Sequence, residues 1–154
     1  MVGGGFFFFW FERDIDMRRK IALLLALCVL AAALLSGCTG KKLPDGMDAD
    51  DVTYEGIQVM KQLIDGEYDA VYDLLREDAR AQTSAKDIEA MMAVAEDGRG
   101  SYEKVTDSMA TGVTNADEPH AIAVIRAKYE KKSVYFRVAF DTDMNLIGLE
   151  AKGK

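Results

Sequence analysis

The chain has 154 residues, 49% apolar and 29% charged, with 13 Gly, 2 Pro and a formal charge of −7. That leaves room for one ordinary domain and excludes collagen, coiled coil and wholesale disorder. Residues 38–154 alone carry 15 basic and 23 acidic side chains, a net −8, which argues against nucleic acid, because Lys and Arg must displace the counterions of a polyphosphate backbone.

Residues 1–16, MVGGGFFFFWFERDID, hold six of the eight Phe and Trp residues of the chain and fit no folded pattern. They are expected to be either a start assigned too early, with Met17 the true start, or an extended n-region. From Met17 the sequence MRRKIALLLALCVLAAALLSGCTG has three basic residues, Arg18, Arg19 and Lys20, followed by a 15-residue apolar run from Ile21 to Leu35. That run is short for a bilayer span and suits a signal peptide over residues 17–37. Leu35-Ser36-Gly37-Cys38 resembles the bacterial lipobox, in which a branched apolar residue and two small ones precede the cysteine that receives diacylglycerol. The expectation is cleavage after Gly37, lipidation of Cys38 and attachment to the outer face of the bacterial cytoplasmic membrane or cell envelope. Cys28 follows Leu27 and would leave with the signal, so the processed chain would have no free thiol, no disulfide and no thiolate metal site. Residues 38–48 then read as the lipidated residue and a polar tether, spanning about 30 Å at roughly 3.3 Å per extended residue.

The domain proper is expected over residues 49–154. Val52, Gly56, Val59, Met60, Leu63 and Ile64 recur at helical spacing behind Asp48, Asp50 and Asp51, with Gly66 as the stop. Tyr68, Val71, Tyr72, Leu75 and Ala79 predict a second helix opened by Glu67 and Asp69. Ser84 with Asp87 resembles a capping box ahead of Ile88, Met91, Met92 and Ala95, a third helix closed by Gly98. Beyond Gly100 the period changes to two. Val134, Phe136, Val138 and Phe140 alternate with Tyr135, Arg137 and Ala139, predicting a strand with one packed and one partly wet face. Strands are also expected over 101–113, with a bulge, over 121–130, and over 146–151, joined by turns at 115–119, 130–133 and 143–145. The fold class is therefore α+β, three N-terminal helices packed on a curved four-stranded antiparallel sheet.

The stretch Leu63-Ile64-Asp65-Gly66-Glu67-Tyr68-Asp69-Ala70-Val71-Tyr72, the later Tyr129-Glu130-Lys131, and Phe140-Asp141-Thr142-Asp143 with Ile147-Gly148-Leu149 resemble the bacterial domain of unknown function 3887 over residues 51–151. The resemblance implies a nuclear-transport-factor-2-like or cystatin-like architecture; relatives also occur beside secreted α/β-hydrolases. These motifs are structural, and no active site is carried over. Where the family usually has Gly in the last turn this chain has Met144, with Asn145 available as a left-handed residue.

Asp141-Thr142-Asp143-Met144-Asn145 opens like a calcium loop, but positions six and twelve are Leu146 and Lys152 rather than Gly and Glu, so a polar hairpin turn is expected and no metal. His120 is the only histidine, which excludes His clusters and a His-based triad, and it reads as a solvated edge residue. Glu130-Lys131-Lys132 reads as a solvated turn. No phosphate loop, nucleophile elbow or zinc-protease motif is present, and nothing asks for a cofactor. Tyr102, Tyr129, Tyr135 and Asp107 are the residues that could line a pocket between sheet and helices, with Tyr54, Tyr68, Tyr72, Met60, Met91 and Met92 at its mouth, or they could simply be packing. Three functions stay open: a non-catalytic module binding a small ligand or a protein, a small isomerase or hydrolase using Asp and Tyr, and a passive envelope component.

Overall fold

Apolar residues at helical spacing, then at a spacing of two, dictate the two layers of the domain. The computed structural model describes residues 41–154; the segments 1–16 and 17–37, and the cleavage and lipidation positions Gly37 and Cys38, lie outside the described residues. Helix α1 (Ala49–Ile64) starts at Asp48, whose carboxylate accepts from the backbone N–H of Asp50 and Asp51 at 2.8 and 3.3 Å and so satisfies two unpaired donors of the first turn. It ends where Gly66 turns left-handed at φ 77° and Glu67 N–H reaches back to the Gln62 carbonyl at 2.9 Å. Its buried face carries Val52, Gly56, Val59, Met60 and Leu63. Among the described residues no helix is long and apolar enough to cross a membrane.

The second predicted helix is in fact two, so among the described residues four helical segments precede the sheet. Helix α2 (Tyr68–Leu74) stops at Leu75, whose φ −64° and ψ 138° are extended, and a four-residue turn, α3 (Glu77–Arg80), follows. The break has a tertiary cause: Leu75 forms a parallel bridge with Leu146, and Arg76 N–H donates to the Leu146 carbonyl at 2.8 Å. Pairing with the sheet outweighs helix propensity over those two residues. Helix α4 (Ala85–Glu96) is capped by Ser84, whose Oγ accepts from Asp87 N–H at 3.2 Å and donates to the Asp87 carboxylate at 2.6 Å. The Asp that replaces Glu in this capping motif thus bonds the Ser hydroxyl.

The strands β1 (Tyr102–Val113), β2 (His120–Tyr129), β3 (Ser133–Asp141) and β4 (Leu146–Gly153) form an antiparallel meander in the order β1-β2-β3-β4. Strand β1 has register shifts at two places, between Tyr102 and Lys104 and between Val105 and Asp107, where one bulge was expected. Ala121, Ala123, Ile125, Ala127 and Tyr129 of β2 and Val134, Phe136, Val138 and Phe140 of β3 are buried against the helices. The opposite face holds Ile122 and Val124, half-exposed, with Arg126, Lys128 and Arg137 in the open. The expected two-faced strand is therefore present, and the sheet is open with helices on one side.

Residues 41–47 do not act as a free spacer. Pro44 is buried, Leu43 and Met47 pack on the core, and Gly112 N–H donates to the Lys41 carbonyl at 2.9 Å. A Cβ at Gly112 would stand 2.0 Å from the Lys42 carbonyl oxygen, so only Gly allows this segment to lie so close to β1. Residues 41–47 thus pack against the domain expected over residues 49–154.

Asp141, 5% exposed, organises the β3–β4 turn. Its carboxylate accepts from the backbone N–H of Asp143 and Asn145 at 3.0 and 2.8 Å, from the Asn145 amide, and from Arg76 Nη1 at 2.8 Å. The left-handed residue is Met144, φ 63°, and not Asn145, whose side chain is committed to Asp141. Arg76 also pairs with Asp78 at 2.7 Å and with Glu118, so one guanidinium joins the α2–α3 break, the β1–β2 loop and the β3–β4 turn. The Arg76 hydrogen bond holds Asp78 down at about 2 and lowers Glu118. Burial pushes Asp141 up, but the bonds from Asn145, Arg76 and Asp143 outweigh it and leave that carboxyl below its usual value.

Carboxyls held low in the folded state contribute stability that is complete above their unfolded pKa and is lost as pH falls through the folded values. Denaturant midpoints are therefore expected to be flat from pH 7 to about 5 and to fall below about 4. Arg76→Gln should be less stable at pH 7 and should lose part of that acid dependence, the part held by Asn145 on Asp141 remaining; an unchanged acid slope in the variant would contradict the account.

Candidate functional site

Of the four residues expected around a pocket, Tyr129 and Tyr135 line one cleft at the β2–β3 turn, whereas Tyr102 and Asp107 are not in its lining. Tyr102 and Tyr129 face each other across β1 and β2 in register, edge to face, with ring centroids 5.8 Å apart on the helix side. Tyr129 is 2% exposed and its hydroxyl donates to Glu96 Oε1 at 2.6 Å. Burial, together with the Glu96 carboxylate, pushes the Tyr129 phenol above its usual value; burial and the nearby Glu96 and Glu89 raise Tyr68 as well. Such phenols stay protonated at neutral pH and serve as hydrogen-bond donors rather than bases. Tyr135 lies on the other face of the sheet, by the two-residue period, and Asp107 is exposed on β1 opposite Arg126. Met60 and Met92 are core residues with 0% exposure, while Tyr54 is exposed and Tyr68, Tyr72 and Met91 are half-buried. His120 is half-buried at the start of an interior strand, its Nδ1 2.9 Å from the Glu118 carbonyl, and so is not an edge residue.

What the fold does bring together is charge. A cleft of about 450 Å³ opens at the β2–β3 turn, with Arg126, Lys128, Lys131, Lys132 and Lys154 on its walls and Glu130 as its single acid. The β2–β3 pairing sets Arg126 beside Tyr135 and Lys128 beside Ser133, so period two on β2 points both cations away from the helices. The Arg126 guanidinium carbon and Lys154 Nζ each sit 5.7 Å from the Tyr135 ring centre, a contact that steadies a cation by the ring's negative face. Arg126 Nε also donates to Ser133 Oγ at 3.4 Å.

Most of this charge is uncompensated. Lys128 pairs with Glu103, and Glu130 is turned to the Ser101 N–H, which it accepts at 3.2 Å. Among the described residues no carboxylate lies within ion-pair distance of Arg126, Lys131, Lys132 or Lys154. Arg99, outside the lining, donates to the backbone oxygens of Ala95, Ser133 and Lys154 and so ties the end of α4 to the start of β3 and the residue after β4. The arrangement can attract and hold an anion; it presents no nucleophile with a base beside it.

A second, smaller groove of about 220 Å³ runs between β4 and the helices, lined by Leu75, Ala79, Ile88, Met91, Ile147 and Leu149 among others. Gln82, Thr83, Asp87 and Gly148 complete its lining, so it is mixed in character and holds a single charged side chain.

The reading of Glu130-Lys131-Lys132 as a mere solvated turn missed the cleft. The available signal was Arg126 and Lys128, two charges at period two on the wet face of an Ala- and Ile-rich strand that runs directly into that turn.

The family model described as Protein of unknown function (DUF3887) matches residues 57–149. The chain belongs to that family. The matched span of the DUF3887 domain reaches from the second half of α1 into β4 and contains every cation of the cleft except Lys154. The solved structure described as "NMR structure of protein from Ruminococcus gnavus ATCC 29149" is similar to this chain with a TM-score of 0.61 and 20% identity, over 71% of this chain and 95% of that one. At that identity the likeness concerns the fold alone. Comparison with curated proteins gives no match.

Proposed function

We propose that the protein is a lipid-anchored, extracytoplasmic binding module whose DUF3887 domain takes an anionic ligand in the cleft at the β2–β3 turn. The observation that carries the binding half of this reading is the collection of five cationic side chains, with one acid already engaged, on a domain whose net charge is −8. Gathering like charges costs self-repulsion, which a bound anion relieves. The anchor half rests on the lipobox-like Leu35-Ser36-Gly37-Cys38. With residues 41–47 packed on the domain, only Thr39 and Gly40 separate Cys38 from the fold, a reach of about 10 Å at 3.3 Å per residue. The outer face of the bacterial cytoplasmic membrane is the location that follows.

The one-sided helical cover of the meander is in keeping with a nuclear-transport-factor-2-like or cystatin-like fold. The binding reading is preferred to a pocket enzyme because Tyr129, the buried tyrosine with an acid beside it, is held protonated and because Asp107 is exposed, on a different strand from both Tyr129 and Tyr135.

Two measurements test the two halves. Cys38→Ala should leave an uncleaved precursor or release the protein from the membrane fraction, since cleavage and anchoring share that residue; a cleaved Cys38→Ala protein that still sediments with membranes would sink the anchor. A panel of multivalent anions, sulfate, citrate and pyrophosphate, should raise the melting temperature of the full chain in neutral detergent, with the effect shrinking as salt rises. No shift from any of them would remove the binding reading.

A further inference from the structure

We infer that Arg99 is a positioning residue of the cleft: its guanidinium, seated over Gly153, fixes Lys154 and the start of β3 beside Tyr135, and the cleft depends on that geometry rather than on the charge of Arg99. This role rests on the reading of the cleft as an anion site and deepens it by naming a residue that stands outside the lining and governs what stands within it.

Three elements meet on Arg99. The chain leaves α4 at Glu96, whose carbonyl accepts the Arg99 N–H at 3.0 Å, and the side chain turns back so that Nε donates to the Ala95 carbonyl at 2.5 Å. Nη1 then donates to the backbone oxygen of Lys154 at 2.8 Å and, over a longer 3.4 Å, to that of Ser133. The backbone of the same short segment clamps the turn, with Lys131 N–H donating to the Arg99 carbonyl and Glu130 N–H to the Ser101 carbonyl, each at 3.0 Å. Glu130, Lys131, Ser133 and Lys154 all line the cleft. Among the described residues no carboxylate lies within ion-pair distance of Arg99. Its donors are committed to backbone oxygens of three separate elements, a task that needs a planar fork of fixed shape rather than a mobile charge.

Lys154 depends on this fork more than any other residue of the lining. Strand β4 ends at Gly153, and beyond it the sheet supplies one bond, from Lys154 N–H to the Ser133 carbonyl at 3.2 Å. Arg99 supplies the second tie. Held at both its N–H and its backbone oxygen, Lys154 is aimed so that Nζ sits 5.7 Å from the Tyr135 ring centre. A long side chain placed in advance spares the bound state part of the rotamer entropy of ordering it.

Gly153 shows how closely the guanidinium is seated, since a Cβ built there would overlap Arg99 Nη2, Cζ and Nε. The atoms struck are the far end of a flexible side chain, so Gly153→Ala pushes the guanidinium aside and leaves the strand in place. That change dislodges Arg99 without removing a charge. Arg99→Lys does the converse, keeping the charge and removing the fork.

The test uses the full chain in neutral detergent micelles, with pyrophosphate as the probe. The proton signals of the Lys154 side chain give a second readout, because protons held over an aromatic face resonate upfield. Arg99→Lys and Gly153→Ala are each expected to return those signals to the position of a free lysine and to weaken pyrophosphate binding about threefold, with the melting temperature of Gly153→Ala close to that of the parent. Lys154→Gln should weaken binding by a similar factor, and adding Gly153→Ala to it should weaken binding no further, the non-additivity expected when one residue acts through the other. Binding equal to the parent's in Arg99→Lys or in Gly153→Ala would overturn the role, as would losses that multiply in the double variant. A parent that binds no pyrophosphate in this assay leaves the Lys154 signals to decide: their collapse in both variants upholds the placement by Arg99, and their persistence overturns it.

Discussion

Phe136→Ala is expected to leave the domain marginal or unfolded. Phe136 is 0% exposed and pairs with Ile125 and Ala151 on the face that meets the helices, so truncation removes a buried ring and opens a cavity, costing about 3–5 kcal/mol. A domain of this size holds about 5–15 kcal/mol in all. The adjacent residue supplies the control. Arg137 pairs with Val124 and Glu150 on the open face, and its contact with Glu150 is 3.9 Å long with both side chains more than half exposed. Arg137→Ala should therefore cost no more than about 0.5 kcal/mol. Denaturant melts in which the two variants lose equal stability would mean that the open face is covered as well.

Gly56→Ala should destabilise, although helix propensity alone predicts the reverse. Alanine in a helix interior is worth about 1 kcal/mol over glycine. Gly56, however, is where α1 touches the sheet: a Cβ there would stand 2.3 Å from the Ala123 Cβ and 3.4 Å from Ile125 Cδ1. The first of these neighbours is fixed to the backbone of an interior strand and cannot swing aside, so the helix must lift from β2 and strain the core around Met60 and Val52. Overpacking of this kind costs about 1–3 kcal/mol, leaving a net loss of up to about 2 kcal/mol. Pairing the change with Ala123→Gly should recover part of the loss, a non-additivity that only direct contact produces. A Gly56→Ala protein more stable than the parent would contradict the close packing of α1 on β2.

The layer order was legible because burial imposes periods that survive in sequence. Val52 through Leu63 recur at helical spacing, and Val134 through Phe140 at two, because one face of each element is buried and the other is not. The break at Leu75 was not legible. Nothing local ends that helix; the cause is Leu146, 71 positions later in the chain. Met144 misled in a similar way, since Asn145 is the better left-handed residue in isolation but its side chain is drawn to a buried Asp141. For the cleft, the cations stand apart along the chain, Arg126 and Lys128 on one strand, Lys131 and Lys132 in the turn after it, and Lys154 more than twenty positions later. Only the pairing of β2 with β3 and of β3 with β4 draws them around Tyr135, and a net charge summed over the chain conceals such a local excess.

The central claim is that this cleft, and no other surface of the domain, is where a ligand binds. It is tested most directly by amide chemical-shift mapping of the full chain in neutral detergent micelles during titration with pyrophosphate. The account predicts saturable shifts concentrated at Arg126, Lys128, residues 130–133, Tyr135 and Lys154, with little change elsewhere. Shifts centred on the groove between Leu75 and Leu149, or scattered evenly over all exposed lysines including Lys42, Lys61 and Lys86, would contradict it.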